Sequence, residues 1–244
     1  MPEPRAPSPV SLRIAIIGHG KMGKAVEQVA KARGHAISAT ISREQTGTFT
    51  RDALAGADVA VEFTVPEAAV PNALACVRAG VPVVVGTTGW NSQLSQLEHA
   101  VAQAKGAVLW APNFSIGVQI FAQLVERLAR LAPEQRGFAT HLVEIHHAAK
   151  KDAPSGTAAL LARVYADWGG GTLPTTSVRV GNVPGRHELL VDAPYEQLRL
   201  IHDARDRRVF ADGAVTAAEW LARGGRHGVF TLRDVLADDG GVSQ

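Results

Sequence analysis

Residues 13–23 read RIAIIGHGKMG: four apolar residues in a row, then glycines in a G-x-G-x-x-G spacing at Gly18, Gly20 and Gly23. A short unbroken apolar run is what a strand buried on both faces requires. The Ala-, Val-, Lys- and Glu-rich residues that follow read as a helix. Strand, glycine turn and helix together are the setting in which this spacing binds a dinucleotide. Gly18 makes the tight turn, Gly20 lets the backbone approach a pyrophosphate, and Gly23 lets helix and strand close up. The first N–H groups of the helix, at Lys21, Met22 and Gly23, are then free for phosphate oxygens.

Outward from this unit the pattern repeats. Strands are expected at residues 35–41, 58–66, 81–89 and 107–113, with helices at 67–79 and 93–104 between them. That alternation specifies a parallel, doubly wound α/β sheet of Rossmann type. A striped helix over 118–131 leads on, and after Pro133 the pattern changes. HLVEIHH, TTSVRVGNVPG, HELLVDAP and YEQLRLIHDA alternate polar and apolar residues around a single helix at 157–168. They predict a smaller α+β domain with an open mixed or antiparallel sheet. From about Phe210 the chain returns to helix and a short GVFTLRDVL segment, expected to rejoin the first domain. The reading is thus a dinucleotide-binding domain over 1–114, completed by 208–244, and a second domain over 115–207.

The 244 residues are 46% hydrophobic, ample for two cores. The net charge of +2 comes from 25 basic and 23 acidic residues spread along the chain, so no basic run points to nucleic acid or a membrane surface. Cys76, the single cysteine, sits in an apolar helical setting and reads as structural. The opening MPEPRAPSPVS is Pro-rich and polar, without a secretory apolar core, and reads as a loose arm. No apolar run reaches the roughly 18 residues of a membrane span, and the expected compartment is the cytoplasm.

The second strand ends Thr40-Ile41-Ser42-Arg43, without the carboxylate that holds a ribose 2′-hydroxyl in NAD-selective sites. Arg43 suits a phosphate, so the site is expected to accept NADPH at least as well as NADH, with Glu44 one residue on as a ribose partner. GTTG, with Gly86, Thr87 and Thr88, and APNFSIG, with Ala111, Asn113 and Phe114, fall at later strand ends, where such sheets bind ligands.

The densest chemistry is EIHHAAKKDAPSGTA, residues 144–158. As a strand, HLVEIH puts Glu144 and His146 on one face, expected to be the exposed one. Ser155 is placed to cap a helix whose first residues, Gly156 and Thr157, offer N–H groups and a hydroxyl to an anion. Lys150 and Lys151 add charge, and His146 is the group there able to give a proton near neutrality. The loop suits a small carboxylate that is protonated during reaction. No residue is assigned to a metal.

His146-His147-Ala148-Ala149-Lys150 followed by Asp152-Ala153-Pro154-Ser155-Gly156-Thr157-Ala158 resembles the signature of the dihydrodipicolinate reductase family. GHGKMG, EFTVPE (with Glu62 where the family commonly has Asp), GTTG, APNFSIG, FADGAV and HGVFTLRDVL extend the resemblance from Ile14 to Leu236. It implies His146 as proton donor, Lys150 as its assistant on the substrate, and His147, Ser155, Gly156 and Thr157 as substrate-binding residues. Phe63 joins the cofactor-binding positions. It also implies NADPH- or NADH-dependent reduction of 4-hydroxy-tetrahydrodipicolinate in diaminopimelate and lysine synthesis, by hydride transfer to C4 and then protonation. A homotetramer built through the second-domain sheet is implied as well. Compact loops after the second strand and between Gly171 and Val178 mark a shorter branch. Another two-domain nicotinamide enzyme, such as an aspartate or homoserine dehydrogenase, would account for GHGKMG but not for the His-His and Ser-Gly-Thr combination.

Overall fold

The computed structural model describes residues 11–131 and 137–237, so the Pro-rich arm before residue 11 and the break at Pro133 lie outside the described residues. The apolar runs form Arg13–Ile17 (β1), Ala36–Ile41 (β2), Val59–Glu62 (β3), Val83–Val85 (β4) and Ala107–Trp110 (β5). Their crossovers include Lys21–Ala32 (α1), Pro66–Arg78 (α2) and Leu94–Ala104 (α3). With Gly228–Phe230 (β10) the sheet has six strands in the order β10-β5-β4-β3-β1-β2, every pair parallel. Ile14, Ile16, Val59, Val61, Val83 and Val84 are all buried, as strands covered on both faces demand. The connections diverge between β1 and β3, and such a switch point opens a crevice at the carboxyl ends of the strands.

The chain divides into two compact units, Met1–Phe114 with Phe210–Gln244, and Ser115–Val209. The return crossing falls after Val209, inside the first turn of Arg208–Ala222 (α6). From there α6 is tied to the first unit by charge. Arg33 reaches Asp212 at 2.6 Å, Glu219 at 3.0 Å and Thr216 at 3.1 Å. The buried His35 accepts the Leu12 N–H at Nδ1 (3.2 Å), which leaves Nε2–H to donate to Glu219 at 2.8 Å. β10 then extends the sheet beside β5, and Leu232–Ala237 (α7) follows. Cys76 is buried in α2, where burial and then the Glu62 charge push its thiol pKa up and keep it unreactive.

The second unit opens with Ile116–Leu131 (α4), then Ala139–His146 (β6), Gly156–Tyr165 (α5), Thr175–Arg179 (β7), Arg186–Ala193 (β8) and Glu196–Asp203 (β9). Its four strands run β7-β6-β8-β9; β7 is parallel to β6 and the other pairs are antiparallel. Phe121 and Val125 from α4 and Leu161 from α5 meet Leu142 and Leu189 on one face of this sheet. The expected helix over 157–168 is Gly156–Tyr165 continued by a wider turn over Ala166–Gly170. Trp168 leaves helical geometry and Gly169 takes φ 94°, a conformation that glycine adopts without penalty.

One expectation is reversed. Glu144 and His146 do share a face of β6, but it is the covered one: they are 0% and 8% exposed. Val143 and Ile145 are only half-buried. The polar residues are inside because they bond to one another and to partners from other elements.

Among the described residues no helix is long and apolar enough to cross a membrane. The tie between α6 and the first unit is testable. Glu219→Ala leaves the buried His35 N–H without its acceptor, and urea unfolding is expected to show a loss of about 1–3 kcal/mol. An unchanged midpoint and slope would refute the tie.

Candidate active site

In the first unit the three glycines divide their work as their surroundings dictate. Gly18 has φ +85°, and a Cβ there would lie 2.3 Å from the Phe63 carbonyl oxygen. A Cβ at Gly23 would lie 2.0 Å from the Gly18 carbonyl oxygen. At Gly20 a Cβ would meet nothing within 4 Å, and Gly20 is the N-cap of α1 without a side-chain cap. The outer glycines are filled in by protein, while the middle one borders open space at a helix N-terminus. That space is a cavity of about 660 Å³ lined by Gly18, His19, Gly20, Thr46, Phe63, Thr64, Val65, Glu67 and Ala68. Its size and its glycine backbone edge suit a dinucleotide's phosphates.

The turns after β3, β4 and β5 are knit together. Thr64 N–H donates to Thr87 Oγ1 at 2.7 Å, and Gly86 N–H donates to the Glu62 carbonyl at 2.8 Å. The Phe63 ring lies edge-on to Phe114 at 6.1 Å and fills the space beside Gly86, where a Cβ would sit 2.1 Å from it. Ala111 is buried, Asn113 half-buried, and Thr88 exposed on the rim. Beneath these turns Glu62 is wholly buried; burial raises its pKa, with Thr64, Thr87 and Asn72 opposing, and Thr64 Oγ1 bonds to its carboxyl. Ser42 is exposed, and the Arg43 side chain lies outside the described residues. His19 and Val65 line the cavity from within GHGKMG and EFTVPE without having been singled out, and Thr46 lines it without any sequence signal.

In the second unit, sheet register sets the site. Ser177, Glu144, His187 and His202 are successive cross-strand neighbours on β7, β6, β8 and β9, and so form one row on the covered face. Glu144 is the hub. One oxygen takes Arg179 at 2.6 Å and the Ser155 N–H at 3.3 Å; the other bonds to His146 Nδ1. Burial alone would raise the Glu144 pKa, but Arg179, Ser177 and His146 outweigh it and hold it at about 2. A carboxylate bonded to Nδ1 keeps the proton there and leaves Nε2 as the working nitrogen. Space is kept at that atom, since a Cβ at Gly185 would lie 3.0 Å from His146 Nε2. Burial lowers the His146 pKa, Glu144 opposes, and Lys150 and Arg179 add to the lowering, so its protonated form is a readier acid.

Ser155 caps α5, accepting the Ala158 N–H at 3.2 Å, as its sequence position predicts. Gly156 is exposed with open space around it, and Thr157 is half-buried. Lys150 bonds to Asp152 at 2.7 Å, His147 is half-buried, and Lys151 is exposed. Glu144, His146 and His187 bring ligand-type atoms within 4.8 Å of one another, a spacing that a metal ion tolerates. The carboxylate is already shared by Arg179, Ser155 and His146, which makes the cluster a hydrogen-bonded acid site. Arg179, His187 and His202 are the residues that sequence reading missed.

A parallel sheet with a glycine-turn cavity, joined in one chain to a mixed-sheet unit carrying a carboxylate–histidine pair, defines a Rossmann-type two-unit oxidoreductase. Residues 12–114 match the family profile "Dihydrodipicolinate reductase, N-terminus" and residues 117–236 match "Dihydrodipicolinate reductase, C-terminus". The 4-hydroxy-tetrahydrodipicolinate reductase of Christiangramia forsetii is 34% identical, over 93% of this chain and 98% of its own. That of Chromobacterium violaceum is 35% identical, over 93% and 99%. A solved dihydrodipicolinate reductase from Paenisporosarcina sp. TG-14, described as dipicolinate-bound, superposes with a TM-score of 0.78 at 23% identity, covering 91% of this chain and 98% of that one. The chain belongs to the dihydrodipicolinate reductase family, and its fold and family indicate a pyridine nucleotide cofactor.

The glycine geometry predicts unequal costs. Gly23→Ala is expected to lose about 1–3 kcal/mol in urea unfolding through overpacking, and Gly20→Ala no more than about 1 kcal/mol as an N-cap change; equal losses would contradict the packing described. The Glu144 pKa has a pH signature. Because about 2 lies below the ordinary 4.5, its stabilisation is complete above 4.5 and is lost as pH falls through 2. Arg179→Gln is expected to move that loss to higher pH in acid-unfolding curves, and curves that superimpose would sink the assignment.

Proposed function

We propose that this chain reduces 4-hydroxy-tetrahydrodipicolinate to tetrahydrodipicolinate for diaminopimelate and lysine synthesis, using NADPH or NADH. The observation that carries the reading is that one buried carboxylate, Glu144, is bonded both to His146 and to the N–H that opens α5. It fixes a proton donor and an anion-binding helix terminus relative to each other. The substrate class, a small dicarboxylate, is what such a pair accommodates.

In this reading the first unit would hold the cofactor: the N–H groups of Lys21, Met22 and Gly23 would bind the pyrophosphate beside Gly20, and Phe63, Gly86, Thr87, Thr88, Ala111, Asn113 and Phe114 would serve the nicotinamide half. Loss of the 4-hydroxyl as water leaves the unsaturated ring, and a bound reduced nicotinamide would supply a hydride to its C4. The second unit binds the dicarboxylate through Ser155, Gly156 and Thr157, with His147 and Lys150 alongside. His146 then protonates the enamine from Nε2, while Glu144 stabilises the imidazolium. Lys150 would engage a substrate carboxylate once it exchanges Asp152 for the substrate.

Arg43 is proposed to hold a 2′-phosphate, so that NADPH is used at least as well as NADH. A homotetramer is proposed through the open face of the second sheet, where Val178 and Ile201 are 36% and 46% exposed beside Ile145 and Leu190. The cytoplasm is the proposed compartment.

The direct test mixes the protein with freshly made 4-hydroxy-tetrahydrodipicolinate and NADPH or NADH and follows nicotinamide oxidation; none by folded, cofactor-binding protein ends the proposal. His146→Gln is expected to cut turnover by about 10²- to 10⁴-fold with little change in substrate affinity. The wild-type rate on free enzyme is expected to fall as pH rises, with its midpoint below the ordinary histidine value of 6.5. Arg43→Ala is expected to weaken NADPH more than NADH, and equal weakening would remove the phosphate clamp.

A further inference from the structure

His187 lies outside the roles given so far, yet it is 4% exposed and its Nε2 is 3.0 Å from the Ser155 Oγ. Ser155 is itself 2% exposed, and its Oγ already accepts the Ala158 N–H at 3.2 Å. A hydroxyl has one proton to give and two lone pairs to receive with. The question is which way the bond to His187 runs.

The other ring nitrogen decides it. His187 Nδ1 is buried, and among the described residues it has no hydrogen-bond partner. If Nε2 accepted the serine proton, Nδ1 would carry the hydrogen, and a buried N–H would be orphaned. An unused buried acceptor is the commoner and cheaper defect. With the hydrogen on Nε2, the donor left over is instead the Ser155 hydroxyl at the start of α5, where a ligand oxygen can accept it. The neutral ring is further favoured by burial and by the facing groups: His146 at 5.3 Å and His202 at 6.5 Å between ring centres, with Lys150 adding to them and only Glu144 opposing, bring its pKa down to about 4.

We infer that His187 is a positioning residue for substrate: its Nε2–H and the Ala158 N–H saturate both lone pairs of Ser155 Oγ, so the serine proton is committed to a carboxylate oxygen of the bound ligand. The N-cap thereby becomes a donor of fixed direction. A serine capped only by Ala158 would be free to turn its proton elsewhere. This rests on the reading that α5 receives a substrate carboxylate.

The experiment combines binding, kinetics and tautomer. Kd for pyridine-2,6-dicarboxylate, a stable dicarboxylate probe, and KM for 4-hydroxy-tetrahydrodipicolinate are measured for His187→Phe, His187→Gln, Ser155→Ala and the Phe/Ala double variant. His187→Phe is expected to raise both constants about tenfold, with kcat and NADPH Kd within about twofold of wild type. His187→Gln, whose amide N–H replaces Nε2–H, is expected to restore most of the loss, and the double variant to be no weaker than Ser155→Ala alone. Losses that multiply in the double variant, or failure of glutamine to rescue, overturn the inference. Should His187→Phe not fold, ¹⁵N-histidine NMR of the wild-type protein decides: a neutral Nε2–H ring supports the inference and an Nδ1–H ring overturns it. The tautomer is read independently of turnover: absence of any dicarboxylate substrate would end the functional reading and the positioning role with it, whereas an Nδ1–H ring in an active reductase would end the positioning role alone.

Discussion

A carboxylate with no solvent exposure cannot stay charged alone, and Glu144 shows what keeps one charged. Arg179 supplies the countercharge, Ser155 an N–H, and His146 a ring nitrogen, each from a different stretch of chain. Satisfying this one group draws together the ends of β6 and β7 and the start of α5. The site is thus a by-product of a desolvation debt: the groups that settle it are the ones left in position for chemistry. Removing any partner would leave a buried charge incompletely met, which is far costlier than losing a surface contact.

The first unit depends on a different constraint, closeness of backbone to backbone. Gly18 and Gly23 let two turns of main chain come within contact distance, and Phe63 packs against the bare α-carbon of Gly86. Beneath those turns lies Glu62, which burial drives toward its neutral form. The glycine turns therefore build with absence of side chains, and the acid site of the second unit with a dense polar network.

Much of this was legible in the sequence. The parallel unit was, because continuous apolar runs and a glycine turn have few other uses, and so was the Ser155 cap, because capping is local. The shared face of Glu144 and His146 was also readable, since strand periodicity fixes it. Which side of the sheet that face would occupy was not, because alternation carries no sign. The sign came from α4 and α5 covering it and from Arg179, 35 residues along the chain from Glu144. His187 and His202 were illegible for the same reason: they gain meaning only through cross-strand register with Glu144. The end of the helical run falls at Trp168 and Gly169, where a glycine takes a positive φ.

The edge strand β10 has one more bearing. It completes the first unit's sheet, yet it is made from residues 228–230, after the whole second unit has been encoded. During synthesis from the amino end, β5 must therefore emerge with an open flank of unpaired main-chain groups, and keep it while some hundred further residues are added. α6, with its arginine and histidine ties, arrives just ahead of the strand that closes that flank.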